Sequence, residues 1–429
     1  MAFFRRRLNK FCYCSGPIIL CLLVLMLSSK LFFTTWTLDY AVSMLNEGNL
    51  FVDTHGPPHL DKLKPVDDKS PVQILENSML VDDKSTVQFL ENSMHMDDKS
   101  PVQFSENSVL VEASNNLTFV LKAAAKILPL HKLGKWWMSN RHKPNTLRSF
   151  FQKNKEKLSG ADYEPLMNLL DGFKKRLPGA VIIGCKKCGT TFLLTLLHIH
   201  PYIATSMRET MFFHKTKKSD RTAERYRKAM LNSFPDQLTM EKSAPYWRLP
   251  DTPSELHEIV PDVKIILLVR DPACRIVSDY YHHVRTGALR KNITLQDVLT
   301  DPQHSGVKSI IMAHSQYDLN MKRWLARFPM SQILIIRNED LTTDKFEDIV
   351  VDTEAFLNLP QWYQIFKEKK KKCVKNDLLD YKVCSPIREV PSNCSYENQY
   401  KTELKYLRNE LKSNVVEFEK LVNRHFQWF

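Results

Sequence analysis

Ala180 to Ile183 is a short apolar run that leans towards a strand; Gly184-Cys-Lys-Lys-Cys-Gly189-Thr190-Thr191 follows, and the apolar segment from Phe192 to Ile199 then reads as a helix. Strand, glycine-bearing loop and helix in that order form a cradle for phosphate, because the free N–H groups of the helix start face the loop. The helix end adds about half a positive charge. Only 11 of 429 residues are glycine, so Gly184 and Gly189 are individually informative: they let the backbone approach an anion, and Lys187 between them supplies a point charge. The nucleotide triphosphatase pattern G-x-x-x-x-G-K-[ST] is not met, since Thr190 stands in the lysine position and Lys187 precedes the second glycine. This disfavours ATP hydrolysis and favours a phosphate site that needs no metal.

A second strand-to-helix junction lies at Val263 to Val269, which ends in Arg270-Asp271-Pro272; Arg275 to Tyr281 can then form a helix carrying Ser278. Arg270 and Ser278, two turns apart, can grip one phosphate with a guanidinium fork and a hydroxyl, or serve only as a salt-bridged arginine and a capping serine. Gln332 to Ile336 adds a third strand. Strands alternating with helices predict an α/β fold, a three-layer sandwich with a central parallel sheet and its ligands at the carboxyl ends of the strands.

The N-terminal part has a different character. Residues 1–10 carry Arg5, Arg6, Arg7 and Lys10, and an apolar stretch spans residues 11–33. That is close to the ~20 residues needed to cross a bilayer, with no small-residue cleavage site after it. The reading is an uncleaved transmembrane signal anchor with a cytoplasmic tail and the rest of the chain lumenal. Residues 34–140 read as a stem: VDDKSPVQILENSML recurs with changes at 81 and 96, three copies over residues 66–110 that are too poor in large apolar residues to bury a core. Leu117 to Leu133 is helix-like within it, 141–176 reads as a basic linker, and the domain begins at 177.

Lysine and arginine number 61 against 48 acidic residues, a formal charge of +13, so the surface suits anions. A lumenal domain without a recognition motif does not read nucleic acid. Sequons at Asn116, Asn292 and Asn393 fit a lumenal surface. In an oxidising lumen the last three of the 9 cysteines, Cys373, Cys384 and Cys394, most simply hold one disulfide, Cys373 to Cys384, with Cys394 left open. Zinc is the competing reading there, but no C-x-x-C pair or histidine accompanies them.

Five collinear segments, the loop at 184–191, LLVRDPACRIVSDYY around Arg270 and Ser278, EKSAPYW at 241–247, RETMFF at 208–213 and the closing EFEKLVNRHFQWF, resemble the Golgi glycosaminoglycan sulfotransferases, above all the heparan sulfate glucosamine 3-O-sulfotransferases. The resemblance covers Leu177 to Phe429. It implies a sulfotransferase fold, a Golgi membrane location with single-pass type II topology, 3′-phosphoadenylyl sulfate (PAPS) as co-substrate with no metal, and a sulfated polysaccharide as acceptor. The 5′-phosphosulfate loop falls on Lys186, Lys187, Cys188, Gly189, Thr190 and Thr191, and the 3′-phosphate grip on Arg270 and Ser278, with Arg388 as a further nucleotide contact. Glu209 matches the catalytic base, and Lys187 and Lys242 match the two active-site lysines. Taken alone, Glu209 is equally a cap or the partner of Arg208.

Two positions depart from the pattern. Met211 stands where the heparan 3-O-sulfotransferases have histidine, and Thr191 where they have arginine; Cys188 to Thr191 is instead similar to the N-acetylgalactosamine 4-sulfate 6-O-sulfotransferase group. The expected activity is therefore sulfuryl transfer to the 3-O position of heparan sulfate glucosamine. The alternatives are a chondroitin or dermatan 6-O-sulfotransferase and an inactive polysaccharide-binding protein.

Overall fold

The computed structural model describes residues 116–376, 381–386 and 394–429, all within one unit that runs from Pro71 to Phe429. The tail, the anchor and the three repeats, together with Arg388 and Asn393, lie outside the described residues. Among the described residues no helix is long and apolar enough to cross a membrane.

Ten strands in chain order make three sheets: Lys174–Lys175 (β1), Ala180–Gly184 (β2), Ile203–Thr205 (β3), Asn232–Ser233 (β4), Leu238–Lys242 (β5), Lys264–Val269 (β6), Ile333–Arg337 (β7), Gln364–Glu368 (β8), Lys371–Asn376 (β9) and Tyr381–Pro386 (β10). The central sheet is parallel, in the order β3-β5-β2-β6-β7. β2 is buried throughout and β6 from its second residue on, as expected of strands covered on both faces by helices. The helix Thr190–His198 follows β2 and Pro272–Arg285 follows β6, so both junctions read from the sequence sit at the carboxyl edge of neighbouring central strands. The chain leaves β2 for one side of the sheet through β3 and β5 and later crosses to the other through β6 and β7. This reversal opens a crevice beyond the strand ends.

The stretch read as the end of a stem and a linker is built otherwise. Asn116–Ile127, Leu130–Asn140, Pro144–Lys153 and Gly160–Asp171 are helices. They bury Leu117, Trp137, Leu147, Phe151 and Leu166 in one cluster with Tyr202 and Phe234 of the sheet region. Arg141 is fully buried and its Nη2 donates to the His198 carbonyl at 2.7 Å, while the Leu117 N–H donates to Asp236 at 3.0 Å. The folded unit therefore starts no later than Asn116. The lysines that suggested a solvated link occupy the outer faces of amphipathic helices, and the apolar residues between them, with Arg141, are turned inward.

β8, β9 and β10 form a small antiparallel sheet in which Cys373 faces Cys384 across the strands and is bonded to it. A second disulfide joins Cys274 to Cys394. Lys372 is buried and donates to the Asp344 carbonyl at 2.7 Å.

Candidate functional site

β2 ends at Gly184, whose φ is +153°; a Cβ there would come within 2.6 Å of the Trp247 Cβ. Gly189 caps the helix Thr190–His198 with φ +87°, and a Cβ would lie 2.5 Å from Asn338 Nδ2. Both glycines are thus required by backbone conformation and by close neighbours. Asn338 Nδ2 donates to the Cys188 carbonyl at 3.1 Å, which ties the loop to the end of β7. Between the glycines, Cys188 N–H donates to the Cys185 carbonyl at 3.1 Å, closing a turn with Lys187 in the left-handed region at φ +69°. The thiols of Cys185 and Cys188 are free and buried beneath it, 3.6 and 3.8 Å from the Tyr317 hydroxyl.

The loop carries cations at close quarters. Burial pushes the Lys187 ammonium down to about 8; Asp279 opposes that shift, whereas Arg285, Lys186 and Arg270 add to it by repulsion. Cations that crowd one another beside a helix N-terminus are poised for a polyanion, whose charge relieves their repulsion. Lys186 pairs with the helix that follows β6, its Nζ 2.8 Å from Asp279 Oδ1. Asp279 also takes Arg275 Nη1 at 2.9 Å, both side chains being inaccessible. Burial alone would raise this carboxyl, but Arg275 and Lys186 hold it well below the usual carboxylate range. Arg275 further donates to the Lys186 carbonyl at 3.3 Å and to Ser315 Oγ at 2.7 Å, fixing the loop from below.

Arg270 is buried at the end of β6, and its Nη2 lies 3.2 Å from Cys274 Sγ. Its carbonyl accepts from Tyr317 at 2.8 Å. Asp271 caps the helix Pro272–Arg285 by accepting from Ala273 and Cys274. Ser278 sits half-buried two turns into that helix.

Glu209 reaches the same crevice from the segment after β3. Its Oε1 accepts from Lys242 Nζ at 2.6 Å, and the same ammonium lies 3.4 Å from Thr191 Oγ1. Three residues singled out from the sequence, more than 50 positions apart at the extremes, are therefore brought together at the edge of the sheet. Met211 follows in the left-handed region, φ +50°.

The structure adds a layer that the motifs did not show. Glu241, inaccessible beside Lys242, accepts from Tyr226 at 2.5 Å, from Ser243 at 2.9 Å and from Tyr246 at 3.1 Å. A charged residue inside a central strand was the available signal, since buried carboxylates are retained only where they are fully partnered. Of the sequons, Asn292 is exposed in a turn and Asn116 is half-buried at a helix start.

Residues 177–388 match the family model described as a Sulfotransferase domain. Heparan sulfate glucosamine 3-O-sulfotransferase 5 of Mus musculus is 35% identical over 191 residues, 43% of this chain and 55% of its own. Heparan sulfate glucosamine 3-O-sulfotransferase 3A1 of Homo sapiens is 33% identical over 180 residues, 41% of this chain and 43% of its own. The chain spans about half the length of the curated relatives it matches. A solved sulfotransferase from Alicyclobacillus acidocaldarius has a TM-score of 0.44 at 22% identity, covering 59% of this chain and 99% of that one. The phosphate loop and the central parallel sheet both lie within residues 177–388, the segment that matches the sulfotransferase domain family.

Proposed function

We propose that this protein transfers a sulfuryl group from PAPS to a sugar hydroxyl of heparan sulfate, at the 3-O position of glucosamine, with Glu209 as general base. The observation that carries the reading is the Lys242 ammonium, which touches both the base, at 2.6 Å, and Thr191 of the phosphate loop, at 3.4 Å. Base and anion cradle thus share one cation. The relatives named for heparan sulfate 3-O-transfer support the acceptor class.

The loop fits a nucleotide with two anionic ends: Lys187 stands at the turn between Gly184 and Gly189, and Arg270 and Ser278 lie on the neighbouring junction. PAPS would supply the sulfuryl group and a phosphate leaving group. The protein's part is then positional and electrostatic. A sugar hydroxyl is a poor nucleophile until a carboxylate takes its proton, and Glu209 is held for that task by Lys242. Negative charge that builds on the departing oxygen is stabilised by Lys187 and Lys242, without a covalent enzyme intermediate.

We place the protein in the Golgi membrane as a single-pass type II chain with its folded part lumenal. The basic head, the apolar stretch 11–33 and two disulfides in the folded unit support this.

The test is incubation of the full chain with radiolabelled PAPS and separate heparan, chondroitin and dermatan acceptors, beside Glu209→Gln. Label on heparan at the 3-O position, lost in the variant, is expected. Label on chondroitin or dermatan alone would move the acceptor to N-acetylgalactosamine, and none on any chain would leave a binding protein.

A further inference from the structure

Glu241 is buried in β5, one residue before Lys242. Every hydrogen bond around it runs inward. The Met211 N–H donates to Ser243 Oγ at 2.8 Å, and Ser243 Oγ donates to Glu241 Oε2 at 2.9 Å. The Phe213 N–H donates to the Tyr246 hydroxyl at 3.3 Å, and that hydroxyl donates to Glu241 Oε1 at 3.1 Å. Tyr226 adds a third donor at 2.5 Å, and Thr210 bonds to the same carboxyl. Two relays therefore run from backbone amides of the segment 211–213, through a hydroxyl each, to the two oxygens of one carboxylate.

Burial raises the Glu241 carboxyl, and the hydrogen bonds from Tyr226, Thr210, Ser243 and Tyr246 oppose that shift; in the ionised form it is an acceptor only, so it draws the protons of both hydroxyls towards itself and leaves their lone pairs turned to the amides. Burial and the Glu241 charge push the Tyr226 and Tyr246 hydroxyls well above their ordinary values, which keeps them donors. The segment needs such a hold. Met211 is a non-glycine residue at φ +50°, a sparsely populated conformation that persists only where the surroundings over-determine it. Glu209 lies two residues before this point.

We propose that Glu241 is a positioning residue, which holds the base Glu209 in reach of Lys242 by clamping Met211 and Phe213 through Ser243 and Tyr246. Gln in its place has the same shape but one donor and one acceptor end. One relay then meets a donor, and its hydroxyl loses the acceptor that orients it and can keep the amide only with its own proton unpartnered. The catalytic part of this inference rests on Glu209 being the base; the clamp itself does not.

The test uses the full chain and Glu241→Gln, with Ser243→Ala and Tyr246→Phe as single-arm variants that keep the carboxylate. Residue-resolved amide exchange is read beside the affinity for 3′-phosphoadenosine 5′-phosphate and the kcat and KM of sulfuryl transfer. Expected for Glu241→Gln is exchange at least tenfold faster at Met211, Phe213 or both. Amides of β2 and β6 should be unchanged, nucleotide affinity within twofold, and kcat at least tenfold lower with little change in KM. Ser243→Ala should free Met211 alone and Tyr246→Phe should free Phe213 alone. Exchange unchanged at both amides in folded variants overturns the clamp, and so does equal loss of protection across the whole sheet in all three. Faster exchange with wild-type kcat overturns the positioning role. A wild-type chain that transfers no sulfate sinks the functional reading, while the exchange pattern still decides the clamp.

Discussion

The Lys242 ammonium sits 2.6 Å from Glu209 Oε1 and 3.4 Å from Thr191 Oγ1, so one cation spans the segment after β3, the strand β5 and the phosphate loop after β2. The pair is mostly shielded, with side-chain exposures of 7% for Lys242 and 20% for Glu209. Such a contact orients the carboxylate while leaving one edge open to an acceptor. Replacing Glu209 with Gln keeps the shape and removes the base. The expected outcome is a fall in kcat of about 10²–10⁴-fold, with affinity for the desulfated nucleotide within threefold of wild type. Single-turnover transfer and calorimetric titration check the two halves. A parallel loss of nucleotide affinity would mean that Glu209 shapes the cradle instead.

Lys187 makes donor binding depend on pH in a definite direction. Burial chiefly, with Arg285, Lys186 and Arg270, brings its ammonium to about 8 in the free protein. Below pH 8 the group is charged and binds phosphate without cost. Above it, binding must recover a proton, so the dissociation constant rises with pH until the bound form also titrates. About tenfold weaker binding of 3′-phosphoadenosine 5′-phosphate at pH 9 than at pH 7 is expected. Lys187→Arg keeps its charge through this range and should flatten the curve. The same slope in that variant would assign the titration to another group.

How much of this could be read from the chain depends on where charge and apolarity coincide. β2, β6 and β7 are largely apolar runs, and the first two pass into helices through glycine and Arg-Asp-Pro, so the sheet's centre and one flank were legible. β5 is Leu-Thr-Met-Glu-Lys, a central strand whose last two residues are charged and which lacks the continuous apolar run of a strand covered on both faces. It is stabilised by partners from three other segments, and no local signal reports those. The helices from Asn116 to Asp171 were masked in another way. Their lysines and arginines alternate with aromatic residues at helical spacing, and only the packing shows Trp137 and Phe151 turned inward. At the site, motif residues were found because their chemistry is local. The Lys186–Asp279 pair was not legible, because Asp279 lies 93 positions away and follows Ser278 in a motif read for its serine.

Asp279 gives an acid-side prediction. Arg275 and Lys186 hold its carboxyl well below the unfolded value of about 3.9, against the effect of burial. The ion pairs therefore contribute fully above that value, and their contribution is lost as pH falls below it towards the folded value. Asp279→Asn leaves Arg275 inaccessible and unpaired, which should cost about 3 kcal/mol at pH 7. Denaturant unfolding at pH 7, 5 and 3.5 checks this: the gap between wild type and variant should hold from 7 to 5 and begin to narrow at 3.5. A gap that is constant down to 3.5 would mean that the charge of Asp279 is not what the variant loses.

The two disulfides differ in what they restrain. Cys274–Cys394 closes a separation of 120 residues and joins the helix Pro272–Arg285, which follows Arg270, to the segment before the C-terminal helix Lys401–Val422. Cys373–Cys384 closes a separation of only 11 within one small sheet. In the chain-entropy account the longer closure restricts the unfolded chain more, by about 4–5 kcal/mol against about 3. Cys394→Ala should therefore lower the unfolding midpoint more than Cys384→Ala. It should also weaken nucleotide binding, because Arg270 Nη2 lies 3.2 Å from Cys274 Sγ and loses a bonded, fixed neighbour. Non-reducing peptide mapping establishes both pairings first, and paired denaturation curves then rank them. If Cys384→Ala proves the more costly, restraint of the unfolded chain does not govern these bridges, and the small sheet at β8 to β10 depends on its bridge for folding.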